Sequence, residues 1–409
     1  MEPITRRTTL TSTLAALPLA LTVPARGQAS SPAHVIESPQ VVLDWERILL
    51  RTVYTDGGTP IPNGVPLLGF TSLAMYDAAT TAAHRGRSSE TAAVATAAHD
   101  VLLHYFPAAG PKIGADLATS LTSVSDARAR LKGARIGRAA AADLLASRVG
   151  DGYADPTIHY TRQPGVGVWQ PTPPATDMLG AWIGSLRPLV VDQPTEVAGP
   201  DPLTSAAYAM DDDEVRRLGG TGSVDRTPAE TATALFYTAN AATMVGDAVV
   251  RRLESRPIGL VDTARIFAGM HAAMTDAVIT CWRLKRDVGF WRPSQAISGA
   301  AADGNPATAP EPGWTPLVPN PPYSEYVSGH ACLTAPAVEV IRRTLGEDTT
   351  LELRSVTAPT RVYTQLSHLE YDAFRARIWS GLHFRTAMRD GYAIGHDTAA
   401  RVLRELDRR

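Results

Sequence analysis

An all-α fold, built from packed helical bundles with one long irregular wrapping segment, is predicted on three observations. Apolar and small residues recur at three-to-four spacing through most of the 409 residues, the period of a helix face. Ala and Thr abound while aromatic residues make up only 6%, which favours helices packed through small side chains over a large sheet. Between Gly150 and Gly222, Gly152, Pro156, Pro164, Gly165, Pro171, Pro173 and Pro174 prevent a sustained helix. A loop that long is expected to wrap on the bundle through Trp169 and Trp182.

The elements follow in order. Val42 to Val53 carries Leu43, Ile48, Leu49 and Leu50 near Trp45, and a Pro/Gly loop from Gly57 to Pro66 comes next. Leu67 to Ala83, Thr91 to Tyr105 and Ile113 to Leu121 repeat the helical pattern, and Asp126 to Arg148 is a long Ala-rich helix. The Asp211-Asp212-Asp213-Glu214 run has the composition of a metal site but suits the positive end of a helix start better. Thr227-Pro228-Ala229-Glu230 is a capping box with Pro at the first helical position, opening a helix to about Leu253. From Asp262 another helix carries Ile266 or Phe267, Met270, Met274, Ala277, Cys281 and Lys285 on one stripe, with His271 off it and expected at the surface. Lys285 therefore leaves from the buried face, and a buried lysine wants an anion.

Composition excludes several classes. With 44% hydrophobic and 20% charged residues the chain reads as globular, and a formal net charge of -2 argues against a nucleic-acid partner held by bulk electrostatics. Residues 1–29 read as a twin-arginine-type export signal: Arg6-Arg7, an apolar run from Leu10 to Val23, then small residues at Gly27 and Ala29. The expectation is thus a periplasmic or extracellular protein, with residues 30–409 as one helical domain, the arm at about 150–222 and the site motifs at 281–390. No further run is long enough to span a membrane, and homo-oligomerisation stays open. Cys281 and Cys332, the only cysteines, exclude a multi-Cys zinc site; one disulfide between them is open in an exported protein, but two buried free thiols are the expectation.

Three short motifs carry chemistry. In Lys285–Pro293, read as KRDVGFWRP, a point charge and a planar donor fork stand seven positions apart, suited to gripping one tetrahedral oxyanion. Ser328-Gly329-His330 precedes an apolar-periodic helix marked by Leu333, Val338, Ile341 and Leu345. There, backbone N–H groups and the dipole favour an anion, and His330, one residue inside, can move a proton. Arg377 and His383 stand six apart across a break at Gly381, ahead of a terminal helix from Phe384 to Arg404. Each motif alone is ordinary; their order is not.

K-x6-RP, SGH and R-x5-H together resemble the vanadium-dependent haloperoxidase and type 2 phosphatidic acid phosphatase superfamily, over roughly the last third of the chain. Trp169 to Pro174 and the Ala-Met-Tyr-Asp-Ala run at Ala74 to Ala78 also look like its bacterial haloperoxidase branch. The resemblance implies that Lys285, Arg292, Ser328, the Gly329 amide and Arg377 hold the oxygens of vanadate or phosphate. It implies His383 as axial vanadium ligand or phosphate-accepting nucleophile, and His330 as acid-base partner. Val327 and Ala376 depart from the family's usual Pro and Ser at little consequence. Ala387 stands where an Asp commonly orients the axial imidazole, with Asp390 one turn on.

The expected activity is a vanadate-dependent haloperoxidase that uses hydrogen peroxide and halide to halogenate a small organic acceptor. Trp282 and Tyr323 would wall the halide pocket. The alternatives are an acid phosphatase working through a phosphohistidine at His383, with no cofactor and phosphate in the same site, and a non-catalytic exported oxyanion-binding protein.

Overall fold

Helix α1 (Gln40–Leu50) is the first element of a computed structural model that describes residues 37–356 and 358–408. The export signal expected at residues 1–29 lies outside the described residues. A π-helical stretch, Arg51–Asp56, extends α1, and α2 (Ile61–Arg85), α3 (Glu90–Tyr105), α4 (Gly110–Thr122) and α5 (Ala127–Ser147) follow. The expected loop from Gly57 to Pro66 is shorter than its prolines suggest. Pro62 sits in the first turn of α2, where its missing N–H costs nothing, and Pro66 only just beyond. Local caps fix the later starts: Ser89 Oγ accepts from Ala92 N at 3.0 Å, and Asp126 Oδ1 from Arg128 N at 2.8 Å.

From Arg148 the chain runs irregularly to Ser205, with one short 3-10 turn at Ala181–Ser185. Trp169 and Trp182 are buried in it, as expected. Its backbone is also pinned from below. Buried Asp276 accepts from the N–H groups of Leu189, Val190 and Val191 at 2.7, 3.0 and 2.9 Å. A segment this long is tolerated because its polar backbone finds such partners.

The last part of the expected arm is helical: α6 (Ala206–Gly219) starts at Ser205, whose Oγ accepts from Tyr208 N at 3.1 Å. The acidic run at Asp211 to Glu214 therefore lies inside the helix rather than at its start. Its acids tie α6 to the C-terminal elements, Asp211 accepting from Thr386 N at 2.8 Å and Glu214 from Arg375 Nη1 at 2.7 Å. The helix expected from Thr227 to Leu253 is two, α7 (Pro228–Phe236) and α8 (Ala241–Ser255). The capping box opens the first, and Asn240 caps the second by accepting from Ala242 N at 3.0 Å.

Helix α9 (Leu260–Asp287) is the axis of the fold, packed against α2, α11 (Ala331–Leu345), α13 (Arg385–Leu406) and the 3-10 turn. Its expected stripe from Ile266 to Lys285 is buried. His271 is buried too, against expectation: its Nδ1 lies 2.8 Å from Ser72 Oγ on α2 and its Nε2 3.4 Å from Glu46 Oε1 on α1. A helix in the middle of a bundle has no solvent face along that length. The remaining elements are α10 (Pro293–Gly299), α12 (Leu366–Trp379) and a small antiparallel hairpin, β1 (Leu351–Leu353) with β2 (Arg361–Tyr363), which the sequence did not suggest. No helix among the described residues is long and apolar enough to cross a membrane.

Candidate active site

Three breaks in the helices converge on one buried point. Lys285 leaves the last turn of α9, Arg292 precedes α10, Ser328 to His330 precede α11, and Arg377 and His383 bracket the turn from α12 to α13. That turn depends on Gly381, whose φ of +74° is a conformation L side chains rarely adopt. A Cβ there would also meet Gly219 O at 2.5 Å.

The three cations are almost wholly withdrawn from water: Lys285 is 0%, Arg292 1% and Arg377 3% exposed. Lys285 Nζ donates to the carbonyls of Ser324 and Glu325 at 2.8 and 2.9 Å. Arg292 donates from Nε to Tyr323 O at 2.9 Å and from Nη1 to Leu382 O at 2.8 Å, while Arg377 Nη1 donates to Tyr237 O at 3.0 Å. These bonds aim the head groups and leave Arg292 Nη2 and Arg377 Nε buried without a protein partner. Burial pulls Lys285 down to about 8 and Arg377 to about 10. Buried cations with orphaned donors are costly unless an anion completes them.

Ser328 is fully buried, its N–H donating to Ala387 O at 3.2 Å and its carbonyl accepting from Cys332 N at 3.1 Å. Gly329 lies against the Trp282 indole, where an added Cβ would come within 3.2 Å of the ring. His330 stands one residue before α11, not inside it. It is half-buried as a whole, yet its Nε2 is buried without a partner. Burial, with Arg377, Arg292 and Lys285 added, pushes the imidazoles of His330 and His383 well below the usual histidine range.

Trp282 and Tyr323 meet beside the cations with ring centres 5.2 Å apart. Lys285 Nζ lies 5.0 Å from the Tyr323 ring centre and 5.8 Å from that of Trp282, and Arg292 Cζ is 5.1 Å from Tyr323. All nine sequence-picked residues are therefore brought together.

A tenth was missed. Glu325, 1% exposed, places Oε1 3.0 Å from His383 Nδ1 and accepts from Phe384 N at 3.0 Å. Burial raises its carboxyl to about 8. The signal available in the sequence was one carboxylate among proline, tyrosine, serine and valine residues before SGH. Asp390 does not reach His383; it accepts from Tyr326 OH at 2.6 Å and pairs with Arg389 at 3.0 Å. Cys281 and Cys332 are buried and free. Among the described residues no group of three or more His, Cys, Asp or Glu is arranged to hold a metal ion, the Asp211 run included.

Comparison with known proteins gives likenesses in sequence and in fold. The family of the VCPO second helical-bundle domain matches residues 265–409, which hold all ten site residues named above. Vanadium chloroperoxidase of Curvularia inaequalis is 32% identical over 181 residues, 36% of this chain but only 29% of that protein. A bacterial vanadium-dependent iodoperoxidase structure superposes with a TM-score of 0.74 at 20% identity, covering 90% of this chain and 96% of its own. A bacterial vanadium-dependent chloroperoxidase in its apo form gives 0.65 at 15%, covering 85% and 94%. The chain therefore has the helical-bundle fold of the bacterial vanadium haloperoxidases, and its residues 265–409 resemble the second helical-bundle domain of vanadium chloroperoxidase.

Proposed function

We propose that this protein is a vanadate-dependent haloperoxidase that oxidises halide with hydrogen peroxide to a hypohalous acid equivalent, which halogenates an organic acceptor. One observation carries the reading. Three buried cations, two of them with unpartnered N–H groups, gather beside an aromatic pair, and Arg292 Nη1 lies 3.3 Å from His383 Nε2. A tetrahedral oxyanion fits that donor set, because its oxygens would satisfy Arg292 Nη2, Arg377 Nε, the Ser328 hydroxyl and the remaining Lys285 N–H.

When bound, vanadate would supply a Lewis-acidic centre on which peroxide is activated for attack by halide. The protein's part is derived from its own residues. Lys285, Arg292 and Arg377 would neutralise the oxyanion and keep it electron-poor. His383 would hold the group through Nε2. His330, whose Nε2 is buried and unpartnered, would accept a proton from incoming peroxide and return it to the departing water. The Trp282–Tyr323 wall, stacked over Lys285, would offer a polarizable halide a dry approach beside a positive charge. Net, peroxide, halide and one proton give hypohalous acid and water.

The same donor set suits a phosphoryl group, so a phosphatase acting through His383 is the competing reading. The aromatic wall favours halide oxidation, as does likeness to proteins described as vanadium chloroperoxidase and iodoperoxidase. Two assays on one preparation separate them: peroxide- and bromide-dependent halogenation of a phenol reporter after vanadate loading, and aryl phosphate hydrolysis without vanadate. Hydrolysis alone refutes the proposal. Export by the twin-arginine route is proposed from Arg6-Arg7 and the apolar run after them. Replacement of both by Lys should retain the protein in the cytoplasm.

A further inference from the structure

We propose that Glu325 is the positioning residue that fixes the tautomer and direction of the His383 imidazole, in place of a carboxylate at position 387. The two ring nitrogens have different neighbours. Arg292 Nη1 lies 3.3 Å from Nε2, and a guanidinium can only donate, so Nε2 is the acceptor and holds its lone pair. In a neutral ring the proton is then on Nδ1, where it donates to Glu325 Oε1 at 3.0 Å. Nε2 therefore faces the cations unprotonated, as any bond to an oxyanion's central atom requires.

Glu325 is well placed to impose this. It is buried, and its Oε1 also accepts from Phe384 N, so the one carboxyl oxygen grips the imidazole and the backbone just after it together. Its own carbonyl accepts from Lys285 Nζ at 2.9 Å, tying the same residue to the head of the cage. Ala387 offers the imidazole no polar group, but it lines a small cavity together with Glu325, Asp211 and Thr386. A carboxylate moved to position 387 would enter the space that Glu325 leaves. The inference rests on the proposed function only for the identity of the anion, since the tautomer is a property of the ligand-free protein.

The experiment uses the full chain with nitrogen-15 histidine. Nitrogen NMR reads the His383 tautomer without vanadate, and equilibrium dialysis then gives the vanadate dissociation constant. The wild type should show a single Nδ1–H tautomer. Glu325→Ala should mix the tautomers and weaken vanadate at least about tenfold, as loss of a ligand's supporting hydrogen bond does. Glu325→Gln, which keeps the shape and an acceptor oxygen, should retain the tautomer with a smaller loss of affinity. In the double variant Glu325→Ala/Ala387→Asp, the tautomer and most of the affinity should return. If Glu325→Ala fails to fold, judged by circular dichroism, Glu325→Gln and the double variant decide. A pure Nδ1–H tautomer with unchanged affinity in Glu325→Ala overturns the proposal, as does an Nε2–H tautomer in the wild type. Failure of the wild type to bind vanadate, with the tautomer as predicted, instead overturns the haloperoxidase reading.

Discussion

Orthovanadate added to the ligand-free protein should raise its unfolding temperature, because the cage holds three buried cations, two of them with N–H groups that no protein atom accepts. The displacement of Lys285 from 10.5 to about 8 corresponds to on the order of 3 kcal/mol opposing its charged form. A ligand that binds only the folded state, at 100 times its dissociation constant, adds ~2.7 kcal/mol. With ~2.1 cal/mol/K of unfolding entropy per residue over the roughly 370 described residues, that is ~3–4 °C. Differential scanning calorimetry reads it, with phosphate as a second oxyanion. The shift should shrink above pH 8, since the ligand-free protein then releases the Lys285 proton and binding must restore it. Lys285→Met removes a buried charge and should leave the ligand-free protein as stable or more so, while abolishing most of the vanadate shift. A wild-type unfolding temperature indifferent to both anions, or Lys285→Met with an undiminished shift, would refute the reasoning.

Other consequences follow from particular residues. Gly381→Ala combines a positive φ with a Cβ 2.5 Å from Gly219 O; it should lower stability by at least about 2 kcal/mol in denaturant titrations and displace His383. Burial raises Glu46 to about 8 from 4.5, so its contribution is fully present below pH 4.5 and is lost as pH rises toward 8. Glu46→Gln should therefore match wild type near pH 4 and exceed it by several kcal/mol near pH 8.5, measured by chemical denaturation. Trp282→Ala should lower kcat/KM for halide about tenfold or more while leaving vanadate affinity within a few-fold; steady-state kinetics beside dialysis check both.

The cage was legible because each of its pieces is local. Lys285 and Arg292, Ser328 with Gly329 and His330, and Arg377 with His383 are short motifs at helix ends, where geometry follows from a few neighbouring residues. Properties set by distant packing were not legible. Nothing near His271 announces that α1 and α2 close over it, and the acids at Asp211 and Glu214 read as a helix start because their partners, Thr386 and Arg375, lie more than 150 residues on. The break between α7 and α8 was overlooked although Asn240 marks it. Glu325 combined both difficulties: its place beside SGH was visible, but the imidazole it holds is 58 residues away. The apparent loss at Ala387 was therefore read as a weakness of the site.

The central claim is that this cage binds vanadate in order to oxidise halide. The most direct test is to titrate vanadate into the ligand-free enzyme while following peroxide-dependent iodide or bromide oxidation, with His383→Ala alongside. The account predicts a rate that is absent without vanadate, rises to a plateau near one equivalent and never appears in His383→Ala. A rate independent of vanadate, or no halide oxidation beside vanadate-inhibited phosphate hydrolysis, would contradict it.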